Sequence, residues 1–180
     1  KNETFTHFRY DPANPESIAD DVVFSIYIDD TGIFWIGTNN GLNRFDPVSG
    51  KFRRFGLNEG LPNEVIYGIQ PDDQNNIWLS TNRGISRFSL SDFSTKNFDV
   101  NDGLQSNEFN GGAHHRGFSG RLYFGGVYGM NIIDPEAIPS AEGKAEVVIT
   151  KLEILGHEVR VLPVSEIQGR GFSINKITEK

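Results

Sequence analysis

Two pairs of neighbouring aspartates resemble groups placed for catalysis or metal binding. Asp29-Asp30 and Asp72-Asp73 recur at an interval of 43 residues. Paired carboxylates can ligate a cation or divide the roles of acid and base. Each pair, however, stands between two predicted strands, where Asp side chains accept hydrogen bonds from nearby backbone amides. We therefore interpret them as turn residues and predict neither a catalytic nor a metal site.

A second candidate group is His114, His115 and Arg116, which has no counterpart at the equivalent positions of the repeats described below. Neighbouring side chains of an extended strand point to opposite faces, so a two-histidine metal site is not expected. No nucleophile, orienting group or converging carboxylate accompanies them, and no triad follows. We predict that they lie on an innermost strand and contact a ligand.

Several predicted hairpin turns carry amide, guanidinium or aromatic side chains. Such groups on a rigid rim suit hydroxylated ligands, through hydrogen bonds and ring stacking. We predict that this rim, together with the connecting segments 58–64 and 101–108, binds a ligand through Asn39, Asn40, Asn82, Arg83 and Tyr128. No cofactor is predicted.

The elements that position these residues belong to a repeat. The stretch Ile33–Pro47, IFWIGTNNGLNRFDP, returns 43 residues later as Ile77–Phe88, IWLSTNRGISRF. A looser third copy places Tyr123 a further 45 residues beyond Trp78. Recurrence at 40 to 45 residues indicates stacked supersecondary units. Trp35, Trp78 and Tyr123 are predicted to be core residues of these units.

Each unit is predicted to contain four short strands. Gly32, Asn75 and Gly120 precede the apolar run of each copy, and Gly and Asn most readily adopt positive φ. The run IFWIGT is apolar on both alternating faces, so protein should cover both. Small residues at Gly37 and Ser80 predict a second sheet close to the backbone. Four-stranded units of this length, stacked face to face, describe a β-propeller.

The predicted fold class is therefore all-β: an incomplete propeller with two full blades and a degenerate third, followed by the start of a β-sandwich. The boundaries are 1–21 for the end of a preceding blade and its joiner, 22–64 and 65–107 for the two blades, 108–144 for the last blade and a linker, and 145–180 for a truncated sandwich. Because residues 1–21 are predicted to end a preceding blade, we expect this chain to be a piece of a longer protein.

Composition excludes several classes of partner. The net charge is −7, and the 17 Lys and Arg residues are scattered, which disfavours nucleic acid and anionic membrane surfaces. There is no cysteine, so thiol chemistry and disulfides are excluded. No apolar run approaches the roughly 18 residues of a membrane span, so this segment is not expected to contact a membrane.

The residues Trp35-Ile36-Gly37-Thr38, Gly41-Leu42, Arg44-Phe45-Asp46-Pro47 and Gly50-Lys51-Phe52 resemble the two-component regulator propeller repeat. The segment VVITKLEILGHEV, residues 147–159, resembles the opening of the Y_Y_Y immunoglobulin-like domain that follows such propellers. The second copy departs from the pattern at Leu79-Ser80, and the third lacks the tryptophan.

This resemblance implies the extracytoplasmic, periplasmic sensor region of a bacterial inner-membrane protein. The family includes hybrid two-component histidine kinases and diguanylate cyclases, whose ligands are often carbohydrate fragments. It implies no catalytic residues in this segment. The expected partners are a small-molecule or oligosaccharide ligand, and either self-association of this chain or dimerisation of its parent, through the apolar sheet faces that an incomplete propeller exposes.

Two alternatives stay open at this point. A propeller lyase similar to the streptogramin-type lyases would share the W-[IF]-x-T hairpin, with only His114 and His115 available for chemistry. A purely structural propeller that mediates protein contacts would need no ligand.

Overall fold

The computed structural model describes residues 4–138, together with two strands near the C-terminus. Residues 4–138 fold into three antiparallel sheets, each a simple meander, and contain three short 3-10 turns but no α-helix. The first sheet, blade 1, contains β1 Val23–Ile28, β2 Phe34–Thr38, β3 Gly41–Asp46 and β4 Lys51–Phe55. Blade 2 contains β5 Ile66–Pro71, β6 Asn76–Thr81, β7 Gly84–Ser89 and β8 Thr95–Phe98. The all-β propeller prediction is confirmed.

Blade 3 has three strands within the described residues. These are β9 Phe109–Arg116, β10 Leu122–Gly126 and β11 Gly129–Ile133, in the order β11-β10-β9. In blades 1 and 2 the equivalent of β11 pairs with a fourth strand, but the described part of the chain places no strand beside the outer edge of β11. Within the described residues, the degenerate third unit of the sequence is thus a blade of three strands.

Apolar side chains from facing sheets form the core. Trp35, Leu42 and Phe55 of blade 1 pack against five residues of blade 2, which are Ile66, Ile69, Ile77, Leu79 and Phe88. Trp78 and Ile85 continue the pattern toward blade 3. Both tryptophans are at most 1% exposed, which confirms them as core residues. Each blade therefore buries one face against the next, as the two-faced apolar strand predicts.

Two local features explain how closely the blades approach. A Cβ on Gly37 would lie 2.7 Å from the carbonyl oxygen of Ile66 in the next blade, so only glycine fits there. Asn75, with φ of 61°, adopts the left-handed conformation that Gly32 and Gly120 adopt in the other units. Both expectations from the sequence are confirmed.

The joiners between blades are held by the outer strand of the following blade. Asn97 Nδ2 donates to the carbonyl of Gly60 at 2.8 Å, and Arg54 Nε donates to the carbonyl of Ser17 at 2.9 Å. Asn97 and Arg54 are equivalent residues, and so are Gly60 and Ser17. The segment before blade 1 therefore occupies the place of a joiner.

Within residues 4–138 the outward face of blade 3 is apolar and uncovered, whereas that of blade 1 is covered only toward its outer strands, where Ile18 packs with Phe45 and Phe52. Ile26 and Ile28 of blade 1 are 59% and 52% exposed, and Met130 and Ile132 of blade 3 are 60% and 54% exposed. Tyr123 lies on the same outward face of blade 3. It is only half-buried, unlike the two tryptophans at the equivalent positions, so its predicted place in the core is not confirmed. Among the three blades of residues 4–138, blade 2 alone has a neighbouring blade on both faces.

The C-terminal unit, residues 139–180, contains the antiparallel hairpin of β12 Leu152–Ile154 and β13 His157–Val159. These six residues belong to the predicted sandwich start and are extended, as strands of a sandwich would be. The rest of the predicted sandwich start, 145–180, lies outside the described residues. No helix in the part of the chain that the structure describes is long and apolar enough to cross a membrane.

Candidate functional site

A cleft of about 450 Å³ opens between blades 1 and 2, at the rim where each first strand turns into its second. Pockets of this size accept small ligands. The β1–β2 turn forms one wall and the β5–β6 turn the other. The lining consists of Tyr27, Asp29, Asp30, Thr31, Ile33, Trp35, Arg44, Pro71, Asp72, Asp73, Asn75, Asn76, Leu90 and Phe93.

The first aspartate of each pair locks its own turn. Asp29 accepts hydrogen bonds from the backbone N–H groups of Thr31 and Ile33 and, at 2.8 Å, from the indole of Trp35. Asp72 makes the same contacts in blade 2, including one from the indole of Trp78 at 2.9 Å. These two carboxylates are therefore structural, as the sequence predicted.

The environment of Asp29 stabilises its charged form. Burial alone would raise the pKa of this carboxyl, but hydrogen bonds from Thr31, Trp35 and Ile33 outweigh it and hold the pKa below its usual value. Asp29 thus stays ionised at neutral pH. A permanent negative charge lies at the wall of the cleft.

Three polar groups of the cleft make no side-chain hydrogen bond within residues 4–138: the carboxylate of Asp30, the guanidinium of Arg44 and the phenol of Tyr27. Partial burial raises the pKa of Tyr27, the carboxylates of Asp30 and Asp29 raise it further, and Arg116 lowers it. The phenol is therefore a neutral hydrogen-bond donor near pH 7. With four aspartates and one arginine in its lining, the cleft disfavours anionic ligands.

Arg116 connects the cleft to blade 3. Its Nη2 lies 2.7 and 2.6 Å from the two carboxylate oxygens of Asp73 in blade 2. Asp73 is largely exposed, so the ion pair contributes little to stability, about 0–1 kcal/mol. The ion pair matters for position: it places Arg116, which the sequence predicted as a site residue, against the wall of the cleft.

The two histidines lie on β9, as predicted, and point to opposite faces. His114 faces blade 2, where its Nδ1 lies 2.6 Å from Nε2 of Gln70 and its ring lies over Gly68. Burial lowers the pKa of His114, so it is neutral at pH 7. His115 faces outward beside Tyr123. The described residues contain no cluster of three or more His, Cys, Asp or Glu side chains that could hold a metal ion.

The predicted hairpin residues lie at the opposite rim. They occupy the turns between the second and third strands, next to the joiners, because Gly41 N–H donates to Glu64 and Gly84 N–H donates to Asn107. These side chains are exposed, and Tyr128 is 81% exposed. The structure thus divides the predicted set. Asn39, Asn40, Asn82, Arg83 and Tyr128 share one rim, Arg116 reaches the other, and the histidines lie between them on β9.

Sequence reasoning missed the cleft and its outer boundary, Phe93. Phe93 has φ of 62°, a conformation that Gly50 adopts at the equivalent turn of blade 1. Its ring lies 6.3 Å from that of Trp35 and 5.3 Å from that of Phe55, across the blade interface. The signal available in the sequence was a phenylalanine at the turn position that Gly50 occupies in blade 1, where positive φ is unusual for a bulky residue.

Comparison with known proteins assigns the repeats. Residues 17–40 and 60–83 match the two component regulator propeller family. No curated protein matches the chain. The structure is similar to the extracellular domain of BT3049 from B. thetaiotaomicron, described as a hybrid two component system, with a TM-score of 0.64 and 21% identity over 73% of this chain. At this identity the similarity describes the fold.

The extracellular domain of BT4673 from the same organism is a second similar structure, with a TM-score of 0.44 and 16% identity over 71% of this chain. The chain spans 18% of the BT3049 structure and 25% of the BT4673 structure. The described blades are therefore a small part of the proteins they resemble.

Proposed function

Since residues 17–40 and 60–83 are two component regulator propeller repeats, we propose that this chain belongs to the extracytoplasmic, periplasmic ligand-sensing region of a bacterial membrane signalling protein. The repeats are a sensor-type propeller rather than a catalytic domain. The output domain of the parent would be a histidine kinase or a diguanylate cyclase. The extracellular placement of the similar domains supports this location.

The observation that carries the sensing role is the cleft between blades 1 and 2. It combines uncommitted hydrogen-bonding groups on Tyr27, Asp30 and Arg44 with an apolar wall at Phe93. Donors and acceptors beside an aromatic ring suit a hydroxylated ligand such as a carbohydrate fragment. The excess of carboxylates favours neutral or amine-bearing sugars over sulfated or uronic ones.

Binding in this cleft would act on the relation between blades. A ligand that joins Asp30 of blade 1 to Asp73 of blade 2 would favour one spacing of the two sheets. Because Asp73 also holds Arg116 of blade 3, the same ligand would compete for or reinforce that ion pair. The signal would be a shift between two arrangements of the blades, set by the difference in ligand affinity for each.

The experiment compares the cleft with the opposite rim. The intact chain is applied to an oligosaccharide array, and hits are measured by calorimetry for Asp30→Ala and Arg44→Ala in the cleft and for Asn82→Ala and Arg83→Ala at the hairpin rim. Loss of binding in the cleft variants alone supports the cleft. Loss in the rim variants alone moves the site to the rim predicted from sequence. Absence of any neutral or amino-sugar hit would overturn the sensing proposal for this segment.

A further inference from the structure

The two interfaces between blades differ in chemistry at equivalent positions of the repeat. In blade 2, Ile69 of β5 pairs with Leu79, and in blade 3 the corresponding residue of β9, His114, pairs with Phe124. Ile69 is 3% exposed and packs in the apolar core between blades 1 and 2. The interface between blades 2 and 3 therefore has a histidine where the interface between blades 1 and 2 has an isoleucine.

Arg116 is a second exchange of the same kind. By its place in the strand ladder it corresponds to Pro71 of β5, so a guanidinium takes the position of a proline. Its Nη2 atom contacts both carboxylate oxygens of Asp73 and thereby links blade 3 to blade 2. Asp30, the equivalent carboxylate between blades 1 and 2, forms no ion pair within residues 4–138.

Aromatic rings secure the interface between blades 1 and 2. The ring of Phe88 in blade 2 lies 5.6 Å from that of Trp35 and 5.1 Å from that of Phe55, both in blade 1. Phe93 of blade 2 contacts the same two rings. Contacts of this kind gain free energy from the buried apolar area and from the ring geometry. Blades 1 and 2 are therefore firmly packed together.

Polar groups replace part of this packing between blades 2 and 3. Trp78 and Phe124 still contribute to an apolar cluster there. Beside it, Nδ1 of His114 lies 2.6 Å from Nε2 of Gln70, and Nε of Arg116 is buried without a hydrogen-bond partner in the described residues. A buried polar network with an unsatisfied member stabilises an interface less than an apolar core does. Blade 3 is therefore held more weakly than blade 1.

We propose that blade 3 moves as a unit against the more firmly packed blades 1 and 2, and that the Asp73–Arg116 ion pair holds it in the closed position. Asp73 lines the cleft between blades 1 and 2 and also binds blade 3. A cleft ligand that engages this carboxylate releases Arg116. Because Asp73 is largely exposed, loss of the pair shifts the ratio of open to closed forms by about two- to fivefold.

The role of this movement in sensing rests on the proposed function, whereas the movement itself is a property of the fold and is measured without ligand. Thiol reactivity reports it, because the chain has no cysteine of its own. Ser80 and Ser86 both belong to blade 2, are at most 1% exposed and make no side-chain hydrogen bond within the described residues. Ser80 pairs with Ile85, which packs toward blade 3, and Ser86 pairs with Leu79, which packs toward blade 1. Ser80→Cys and Ser86→Cys are therefore matched reporters of the two interfaces.

A small thiol reagent in excess, under native conditions, should modify Ser80→Cys faster than Ser86→Cys. Asp73→Asn and Arg116→Gln should each raise the rate for Ser80→Cys by about two- to fivefold, and the double variant should add nothing further. Asp30→Asn changes the equivalent carboxylate of blade 1, which has no ion-pair partner within residues 4–138, and is the matched control. It should change neither rate.

Several results would overturn the proposal. Equal rates for the two thiols would mean that both interfaces open together or only by global unfolding. An unchanged rate for Ser80→Cys in the Asp73→Asn background would show that the ion pair does not hold blade 3. A rise in both rates would show general destabilisation instead of movement of one blade. The comparison of ligand binding in the cleft and at the rim stands or fails independently of these rates.

A second measurement uses exposed positions and leaves the core unchanged. Thr31, Gln74 and Ser119 occupy equivalent turns of the three blades, and all are exposed. Spin labels on the pair Gln74→Cys and Ser119→Cys should give a broader distance distribution than labels on Thr31→Cys and Gln74→Cys. Asp73→Asn should broaden the first distribution alone. Equal widths for the two pairs would refute the proposal whatever the thiol rates.

Discussion

The substitution Asp72→Ala tests whether the recurring carboxylate stabilises the turn between the first and second strands of its own blade. Asp72 is 8% exposed and accepts hydrogen bonds from the backbone N–H groups of Gln74 and Asn76 and from the indole of Trp78. Trp78 has no exposed surface. Alanine would therefore leave a buried indole N–H without any acceptor, while water could still reach the two turn amides.

The magnitude follows from this difference in burial. A buried donor left unpaired costs about 1–3 kcal/mol, and a hydrogen bond to a charged group contributes roughly 1.5–3 kcal/mol. Counting the indole in full and the two amides at the low end, we expect Asp72→Ala to lower the free energy of unfolding by about 3–5 kcal/mol. Asp29→Ala also leaves a buried indole, because Trp35 is 1% exposed, but Asp29 itself is more exposed than Asp72, so water can take the place of its carboxylate and the cost should be smaller, about 1–3 kcal/mol.

Urea unfolding at fixed protein concentration, followed by tryptophan fluorescence, measures both variants. The chain has one tryptophan in each of blades 1 and 2, so Trp78→Phe isolates the signal of Trp35 and also removes the indole donor. In that background Asp72→Ala should cost roughly 1–3 kcal/mol less. If Asp72→Ala costs no more than Asp29→Ala, or if its cost is unchanged in the Trp78→Phe background, the reasoning from the buried indole is refuted.

Three further predictions concern the blade interfaces. Gly68→Ala would place a Cβ 2.6 Å from ring carbons of His114 and should destabilise the chain by about 1–3 kcal/mol in urea unfolding, whereas Gly111→Ala, with only ordinary contacts, should be nearly neutral. Because burial holds the pKa of His114 below 6.5, its stabilising contribution is complete above that pH and declines as pH falls toward the folded pKa. Thermal melts from pH 7.5 to 5 should show this decline, and His114→Gln should flatten it; equal slopes would contradict it. Phe93→Gly relieves a left-handed backbone worth about 1–2 kcal/mol but loses ring packing worth about 3–5 kcal/mol, so the melting temperature should fall. A rise in melting temperature would show that backbone strain dominates.

The sequence predicted the blades because their determinants are local and repeated. Glycines and Asn75 fix turns through their own backbone preference, and the tryptophans alternate with apolar neighbours on one strand. The third unit shows the limit of such patterns. Gly117 replaces the turn aspartate and Tyr123 replaces the tryptophan, and a Cβ on Gly117 would lie 3.0 Å from the Tyr123 ring. The Tyr123 ring thus lies close to the place from which the aspartate of the other blades projects, so the two replacements fit each other sterically, which inspection of single positions does not show.

The site could not be predicted in the same way, because it arises between repeats. Asp30 and Arg44 come from blade 1 and Phe93 from a turn of blade 2, and no period in the sequence states how far apart two stacked sheets hold them. The rim predicted from asparagine-rich turns rested on side-chain type alone. Turn propensity explains those residues equally well, and only the relative position of two blades shows where a cavity opens.

Unequal coverage of the blades has a consequence for the slow motions of the molecule. Blade 2 is flanked on both sides, so its amides should exchange with deuterium only through the largest opening, and β6 should be the slowest strand. Strands β1 and β11 each lie on a sheet face that no other blade covers within residues 4–138. Their amides should exchange through local openings of lower free energy.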